Sequence, residues 1–234
     1  MNSTFNTDLN NTSVSIATDH NLQSQAMLLA FGGINGRLGM PPFEFFNLTA
    51  GFETQKIFVR DLHQAWYQYG LAGVTASVDE TAQHLSKMIR AQNPVRVVVC
   101  GNSMGGYAAL LFGLLLEVDV VYAFSPQTFI NPAHRLQFFD FRWWRRIRSA
   151  YHAPQAQRET FNLQAFFAKH PPQKPKFHIF YSTNIRLDTA HATRLATAPR
   201  VTLHPFPNAG HDLVKHLRDT GQLSQILLEG LKIP

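Results

Sequence analysis

The chain predicts an α/β fold: a mostly parallel central sheet with helices on both faces. Strand-length runs recur at Ala26–Phe31, Lys56–Val59, Val95–Cys100, Val118–Phe124, Phe177–Tyr181 and Val201–Pro205. Most are apolar throughout rather than alternating, as strands covered on both faces should be. Longer amphipathic stretches lie between them, and strand alternating with helix implies parallel pairing through crossovers. With 234 residues the chain is long enough for one complete domain with a substantial core. It contains no internal repeat and no long low-complexity linker, so residues 1–234 are expected to form a single domain.

The helical candidates are Thr75–Gln92, Gly105–Leu116, His191–Ala198 and Asp212–Leu231. Each has the periodicity or the flanking turn signals of a helix packed on a sheet. An earlier run, Val14–Ala17, is expected to pair with Ala26–Phe31 as an antiparallel hairpin at the start of the sheet. One segment breaks the rhythm. From Gln127 to Lys174 there is no strand, and the stretch is aromatic and basic, most densely over Phe138–Arg148. Long strand-free insertions in compact domains are usually functional or disordered. The aromatic residues favour short helices, so residues 127–174 are expected to form a cap-like insertion.

Hydrophobic residues make up 45% of the chain and charged residues 15%, a rather apolar globular composition. Nineteen Phe residues are more than a core of this size needs, which suggests an apolar pocket or interface. The formal charge is +6, but the basic residues are scattered apart from Arg142–Arg148, and no nucleic-acid motif accompanies them. The one cysteine, Cys100, excludes an intramolecular disulfide framework and a cysteine-rich metal site. Residues 1–25 lack the basic and apolar regions of a signal peptide, and no apolar stretch is long enough to span a bilayer. A soluble, cytoplasmic protein is the expectation.

The chemistry centres on Gly101-Asn102-Ser103-Met104-Gly105. As a bare pattern Gly-x-Ser-x-Gly is only moderately specific. Here it follows the strand-like Val97-Val98-Val99-Cys100 and precedes a small-residue helix start, Gly105-Gly106-Tyr107-Ala108-Ala109. That strand–turn–helix setting holds a serine on a sharp turn, exposed as a nucleophile at a helix N-terminus. A serine hydroxyl needs a general base. His211, in Pro207-Asn208-Ala209-Gly210-His211-Asp212, follows the last strand-like run and can reach back to that turn. His204 lies within a strand run and His216 lies beyond the loop. For the group orienting the histidine, Asp188 is the only carboxylate between Glu159 and Asp212. Its alternative role is to cap a helix beginning near Thr189, and Asp140 is the fallback acid.

The set Gly101–Gly106, the Asp188 loop and Ala209-Gly210-His211 resembles the serine α/β-hydrolase superfamily of small esterases, thioesterases and acyl hydrolases. The resemblance runs from about Ala26 onward. It leaves little room for two leading strands, so the sheet is expected to be reduced at the N-terminus. It implies a catalytic triad of Ser103, Asp188 and His211, with the Met104 N–H as one oxyanion donor. The second donor falls in the glycine loop Phe31–Gly36, at Gly33 or Ile34. This loop has neither the spacing nor the ending of a phosphate-binding signature.

Two stretches are expected to shape the site. Arg60–Gly70 follows a strand, so Asp61 and Trp66 either line the substrate pocket or merely fix the loop and core. Gly39–Phe46 forms an apolar lip that includes Phe43. Within the insertion, Phe138 and Trp143 are further pocket candidates. The Phe138–Arg148 cluster itself has three readings: a pocket cover, an electrostatic contact for an anionic carrier or lipid headgroup, or a solvated amphipathic helix with its Trp residues packed inward. The implied reaction is hydrolysis of an ester or thioester of an apolar acyl group, small or carrier-linked. No metal or organic cofactor is implied. Acyl transfer, amide or peptide cleavage and a non-catalytic binding role are the alternatives.

Overall fold

The computed structural model describes residues 4–5, 13–21, 23–34 and 43–233. Among these residues eight strands form one sheet: β1 (Thr4–Phe5), β2 (Ile16–His20), β3 (Ala26–Phe31), β4 (Gln55–Val59), β5 (Arg96–Asn102), β6 (Val120–Phe124), β7 (Lys176–Ser182) and β8 (Val201–Phe206). Their order is β1-β2-β4-β3-β5-β6-β7-β8, and every pairing from β4 through β8 is parallel. The helices are α1 (Phe46–Thr49), α2 (Val78–Gln92), α3 (Met104–Leu115), α4 (Pro132–Gln137), α5 (Trp144–Tyr151), α6 (Leu163–Lys169), α7 (Arg186–Thr193), α8 (Leu213–Asp219) and α9 (Gln222–Leu231).

Alternate residues of each central strand feed opposite cores, which is why the runs are continuously apolar. Met27, Leu29 and Phe31 of β3 and Val97 and Val99 of β5 join α2, α3 and α6 on one face. Leu28 and Ala30, with Val98 and Cys100, join α8 and α9 on the other. Most Phe residues are spent on these two cores, Phe31, Phe58, Phe112, Phe124, Phe167 and Phe177 among them. Cys100 is fully buried, and burial pushes its thiol well above the ordinary range, as befits an inert core residue.

Three details depart from expectation. The run near Val14 becomes β2, but it pairs antiparallel with β4, not β3, because β3 is already flanked by β4 and β5. The leading end of the sheet is short rather than missing, with β1 contributing two residues. The stretch Asp212–Leu231 is two helices, parted at Gly221, whose φ of 72° is left-handed and ends the first helix cheaply. The segment 127–174 contains no β-strand, apart from one isolated bridge, Phe129 with Asn162. It holds α4, α5, a 3-10 turn at Arg158–Phe161 and α6 between β6 and β7. Among the described residues no helix is long and apolar enough to cross a membrane.

β2 is locked to β4 by a buried ion pair, Lys56 Nζ to Asp19 Oδ2 at 2.8 Å, between residues in register. Removing one partner strands the other charge in the interior. Asp19→Ala is expected to cost about 3–5 kcal/mol, read as a fall in the urea midpoint at constant m. Asp19→Leu combined with Lys56→Met should recover most of that loss.

Candidate active site

β5 runs into α3 through a single residue, Ser103, at φ 53° and ψ −113°. Such a backbone costs on the order of 1–3 kcal/mol and persists only where its surroundings over-determine it. Here the Ser103 N–H donates to Phe124 O at 2.9 Å, and its carbonyl accepts the first helical bond from Tyr107 N at 3.0 Å. The turn closes only because two neighbours lack a Cβ. One added at Gly101 would lie 2.0 Å from Gly105 O, and one at Gly105 would lie 2.3 Å from Phe31 O.

His211 lies between β8 and α8, partly exposed, with Nδ1 at 2.8 and 3.0 Å from the two oxygens of Asp188. A carboxylate can only accept, so Nδ1 carries the proton and Nε2 of the neutral ring keeps its lone pair. That is the tautomer a general base needs. Asp188 is buried in the first turn of α7, which begins at Arg186, five residues earlier than the pattern suggests. The N-cap position belongs to Ile185, so Asp188 is not the cap. Its carboxylate is spent on His211, and the N-terminal end of the helix favours its charge. Among the described residues Ser103 Oγ has no hydrogen-bond partner, so the expected link to His211 Nε2 is not formed. Such bonds are often long without substrate and tighten when it binds.

Asp61 and the fallback acid, Asp140, are both engaged elsewhere. Asp61 accepts from the N–H groups of His63, Ala65 and Tyr67 at 2.9, 2.6 and 2.9 Å and is buried by its own loop. Asp140 accepts from Arg142 Nε and Nη2 at 3.0 and 2.9 Å and pairs with His191 Nε2 at 3.0 Å. The Thr128 N–H donates to His191 Nδ1, so His191 is the Nε2–H tautomer and donates to Asp140. Burial pushes the His191 pKa down. Burial pushes Asp140 up, but the hydrogen bonds from His191 and Arg142, with the charge of Arg142, outweigh it and hold that carboxyl far below the ordinary range. Arg142 Nη1 also lies 3.6 Å from Asp188 Oδ1. One guanidinium from the insertion therefore bridges two carboxylates, and a second Asp–His pair stands behind the first.

The candidate oxyanion donors separate. The Met104 N–H precedes the first intrahelical bond of α3 and is available at the helix N-terminus. Gly33 does not offer its N–H, which donates to Glu44 Oε2 at 2.8 Å, while Asn102 Nδ2 donates to Glu44 Oε1 at 3.1 Å. Burial pushes the Glu44 carboxyl up against the effect of these two bonds. Ile34 is the other candidate position of that loop. Glu44 was legible only as part of the Phe-rich lip, whose residues 39–42 lie outside the described residues.

A cavity of about 370 Å³ opens beside the serine turn, lined by Glu44, Phe45, Asn102, Asp212, Lys215 and Arg218 among others. None of the expected pocket residues lines it. Trp66 is fully buried, with Nε1 donating to Gln127 Oε1 at 3.0 Å, so Asp61 and Trp66 fix the loop and core instead. Phe43 is buried on Phe58 beneath the Arg60 guanidinium. Phe138 stacks on Phe129, which stacks on His191. Trp143 is exposed. Among the described residues no group of three His, Cys, Asp or Glu side chains is placed to hold a metal ion.

No family model matches the chain, and no curated protein matches it by sequence. Solved structures do match its shape. An S-formylglutathione hydrolase of Staphylococcus aureus superposes with a TM-score of 0.64 at 10% identity, covering 99% of each chain. The fold is that of the α/β-hydrolases. Within that fold, the fluorophosphonate-binding serine hydrolase F of S. aureus matches at 12% identity and a TM-score of 0.61, over 99% of this chain and 98% of its own. The capsule O-acetyltransferase of Neisseria meningitidis serogroup A matches at 13% identity and 0.62, over 93% and 92%.

The buried His191–Asp140–Arg142 cluster predicts an acid-sensitive fold. Both His191 and Asp140 have folded pKa values below their unfolded ones, so the unfolded chain takes up each proton first. Stability should fall below about pH 6.5 through His191 and again below about pH 4 through Asp140. In urea titrations Asp140→Asn should be markedly less stable than the native protein at pH 7. The gap should close as the pH falls below about 4.

Proposed function

We propose that the chain is a serine hydrolase that cleaves an ester or thioester of an apolar acyl group through an acyl-enzyme. The observation that carries this reading is the His211 Nδ1–Asp188 pair, which leaves Nε2 as the base, together with Ser103 on its strained turn. In the proposed sequence Ser103 Oγ attacks the acyl carbon as His211 Nε2 takes its proton. The N–H groups of Met104 and Ile34 hold the resulting oxyanion. Collapse expels the alkoxide or thiolate, which receives the proton from His211. Water then repeats the attack on the acyl-Ser103, with His211 again taking and returning a proton, and the acid is released. Asp188 holds the imidazole in its tautomer and offsets its charge when protonated.

The cavity supports an acyl substrate and a second reading. Phe45, Leu48, Val214 and Leu223 form an apolar wall, while Asn47, Asn102, Asp212, Lys215 and Arg218 supply polar groups. Asn102 and Asp212 adjoin Ser103 and His211 in sequence. A polar rim here suits a hydroxylated acceptor in place of water, which favours acyl transfer as the alternative, in keeping with the likeness to the capsule O-acetyltransferase.

A fluorophosphonate probe should label the native protein at Ser103 and leave Ser103→Ala unlabelled but folded; absence of labelling in the native protein would sink the reading. Asp188→Asn should lower kcat on p-nitrophenyl esters by about 10³–10⁴-fold through the wrong tautomer. Comparing free acid with acylated polyol in the products separates hydrolysis from transfer.

Glu44 spans the glycine loop and the serine turn, so Glu44→Ala should lower kcat about tenfold. That is less than the loss expected from deleting an oxyanion donor outright. KM should change little and Glu44→Gln should retain more activity; equal loss in kcat and in thermal stability for both variants would argue for a purely structural residue.

A further inference from the structure

The four Phe, Tyr or Trp side chains most exposed among the described residues fall within six consecutive positions. Phe139 is 68% exposed, Phe141 62%, Trp143 43% and Trp144 52%, with Leu136 exposed beside them. They stand out because the local backbone turns them out. Phe139 and Trp143 have left-handed φ values of 53° and 54°, and α5 packs inward through Ile147 and Ala150 instead. The Trp residues are thus not on the buried face of an amphipathic helix.

Arginines are interleaved with these rings. Arg145 and Arg148 are exposed, and Arg146 is partly so. Arg146 lies over the Trp143 ring at 5.9 Å and Arg148 over the Trp144 ring at 5.8 Å. None of the three has a carboxylate partner among the described residues, and the sequence holds no Asp or Glu between Asp140 and Glu159. Asp140 itself is buried and engaged by Arg142 and His191. The patch is therefore cationic without local compensation, and apolar at its surface.

We propose that this face, Leu136 to Arg148, docks on an anionic lipid bilayer surface. Aromatic rings of mixed character settle at the boundary between headgroups and acyl chains, while guanidinium groups pair with lipid phosphates. A second copy of the chain is disfavoured, because joining two such faces sets uncompensated arginines against each other. An acidic protein would satisfy the arginines but not four protruding rings. Arg142 joins this face to Asp188, so docking would bring the candidate site next to the bilayer. The inference rests on the surface and not on the reaction proposed above.

The test is cosedimentation of the full chain with vesicles of phosphatidylcholine alone or of equimolar phosphatidylcholine and phosphatidylglycerol. Binding to the anionic vesicles should be at least tenfold tighter and should weaken as salt is raised. Each arginine removed should cost about fivefold, so Arg145→Glu with Arg146→Glu should lower binding by more than tenfold. The chain has three Trp residues and Trp66 is already buried, so a blue shift of tryptophan emission on binding reports Trp143 and Trp144. Phe141→Ser with Trp144→Ser should reduce both the binding and the shift. All variants should keep the native melting profile and their activity on soluble esters.

Equal binding to both vesicle types, or variants that bind like the native chain, would overturn the proposal. So would a concentration-dependent dimer abolished by the same substitutions. Affinity for soluble polyglutamate matching that for vesicles, without a blue shift, would assign the face to an acidic protein instead.

Discussion

The rest of the candidate site hangs on how closely the first turn of α3 approaches the ends of β3 and β5. At Gly101 and Gly105 the backbones meet where any Cβ would overlap a carbonyl oxygen. Ser103 takes its unusual backbone at that contact, and the first N–H groups of α3, which have no partner within the helix, lie at the same end of β5. The cost of the strained turn is spread over two flanking cores that are buried on both faces of the sheet. Position and electrostatics at this edge therefore share one origin, the absence of two methyl-sized groups.

Around that turn, charge is arranged in compensated sets. Asp188 answers His211, and Arg142 stands between Asp188 and Asp140, which in turn holds the neutral His191. The shared guanidinium gives both carboxylates a positive partner, with Nη2 2.9 Å from Asp140 Oδ2 and Nη1 3.6 Å from Asp188 Oδ1. The insertion between β6 and β7 is thereby tied to the acid of the candidate triad by its own arginine. Its outer face carries the opposite arrangement, with arginines left uncompensated and aromatic rings turned outward. One segment thus has a neutralised inner side and a cationic outer side.

Several features were legible in the sequence because they depend on local pattern. Continuous apolar runs marked the strands, since a strand covered on both faces has no polar side to show. Ser103 was legible from the small residues around it. The pairing of His211 with Asp188 was legible too, since one follows the last strand and the other is the one carboxylate in its stretch of chain. The start of α7 was less legible, because no side chain caps its N-terminus. The split between α8 and α9 depended on one left-handed glycine within an otherwise helical pattern.

What the sequence by itself determined is the alternation of strand and helix and the sharp strand-to-helix turn at Ser103, both set by neighbours within a few residues. Only the tertiary structure decided the pairing of β2 with β4, the capture of the Gly33 N–H by Glu44, the bridge from Arg142 to Asp188 and the outward turn of Trp143 and Trp144. Each of these depends on which distant groups come within hydrogen-bonding or packing distance, or on which way a backbone turns out of a helix. Asp61 and Trp66 show the difference most plainly. Polar and aromatic residues after a strand suit a pocket as well as they suit a self-contained loop, and only the packed chain, with its three N–H groups converging on Asp61, chooses the loop.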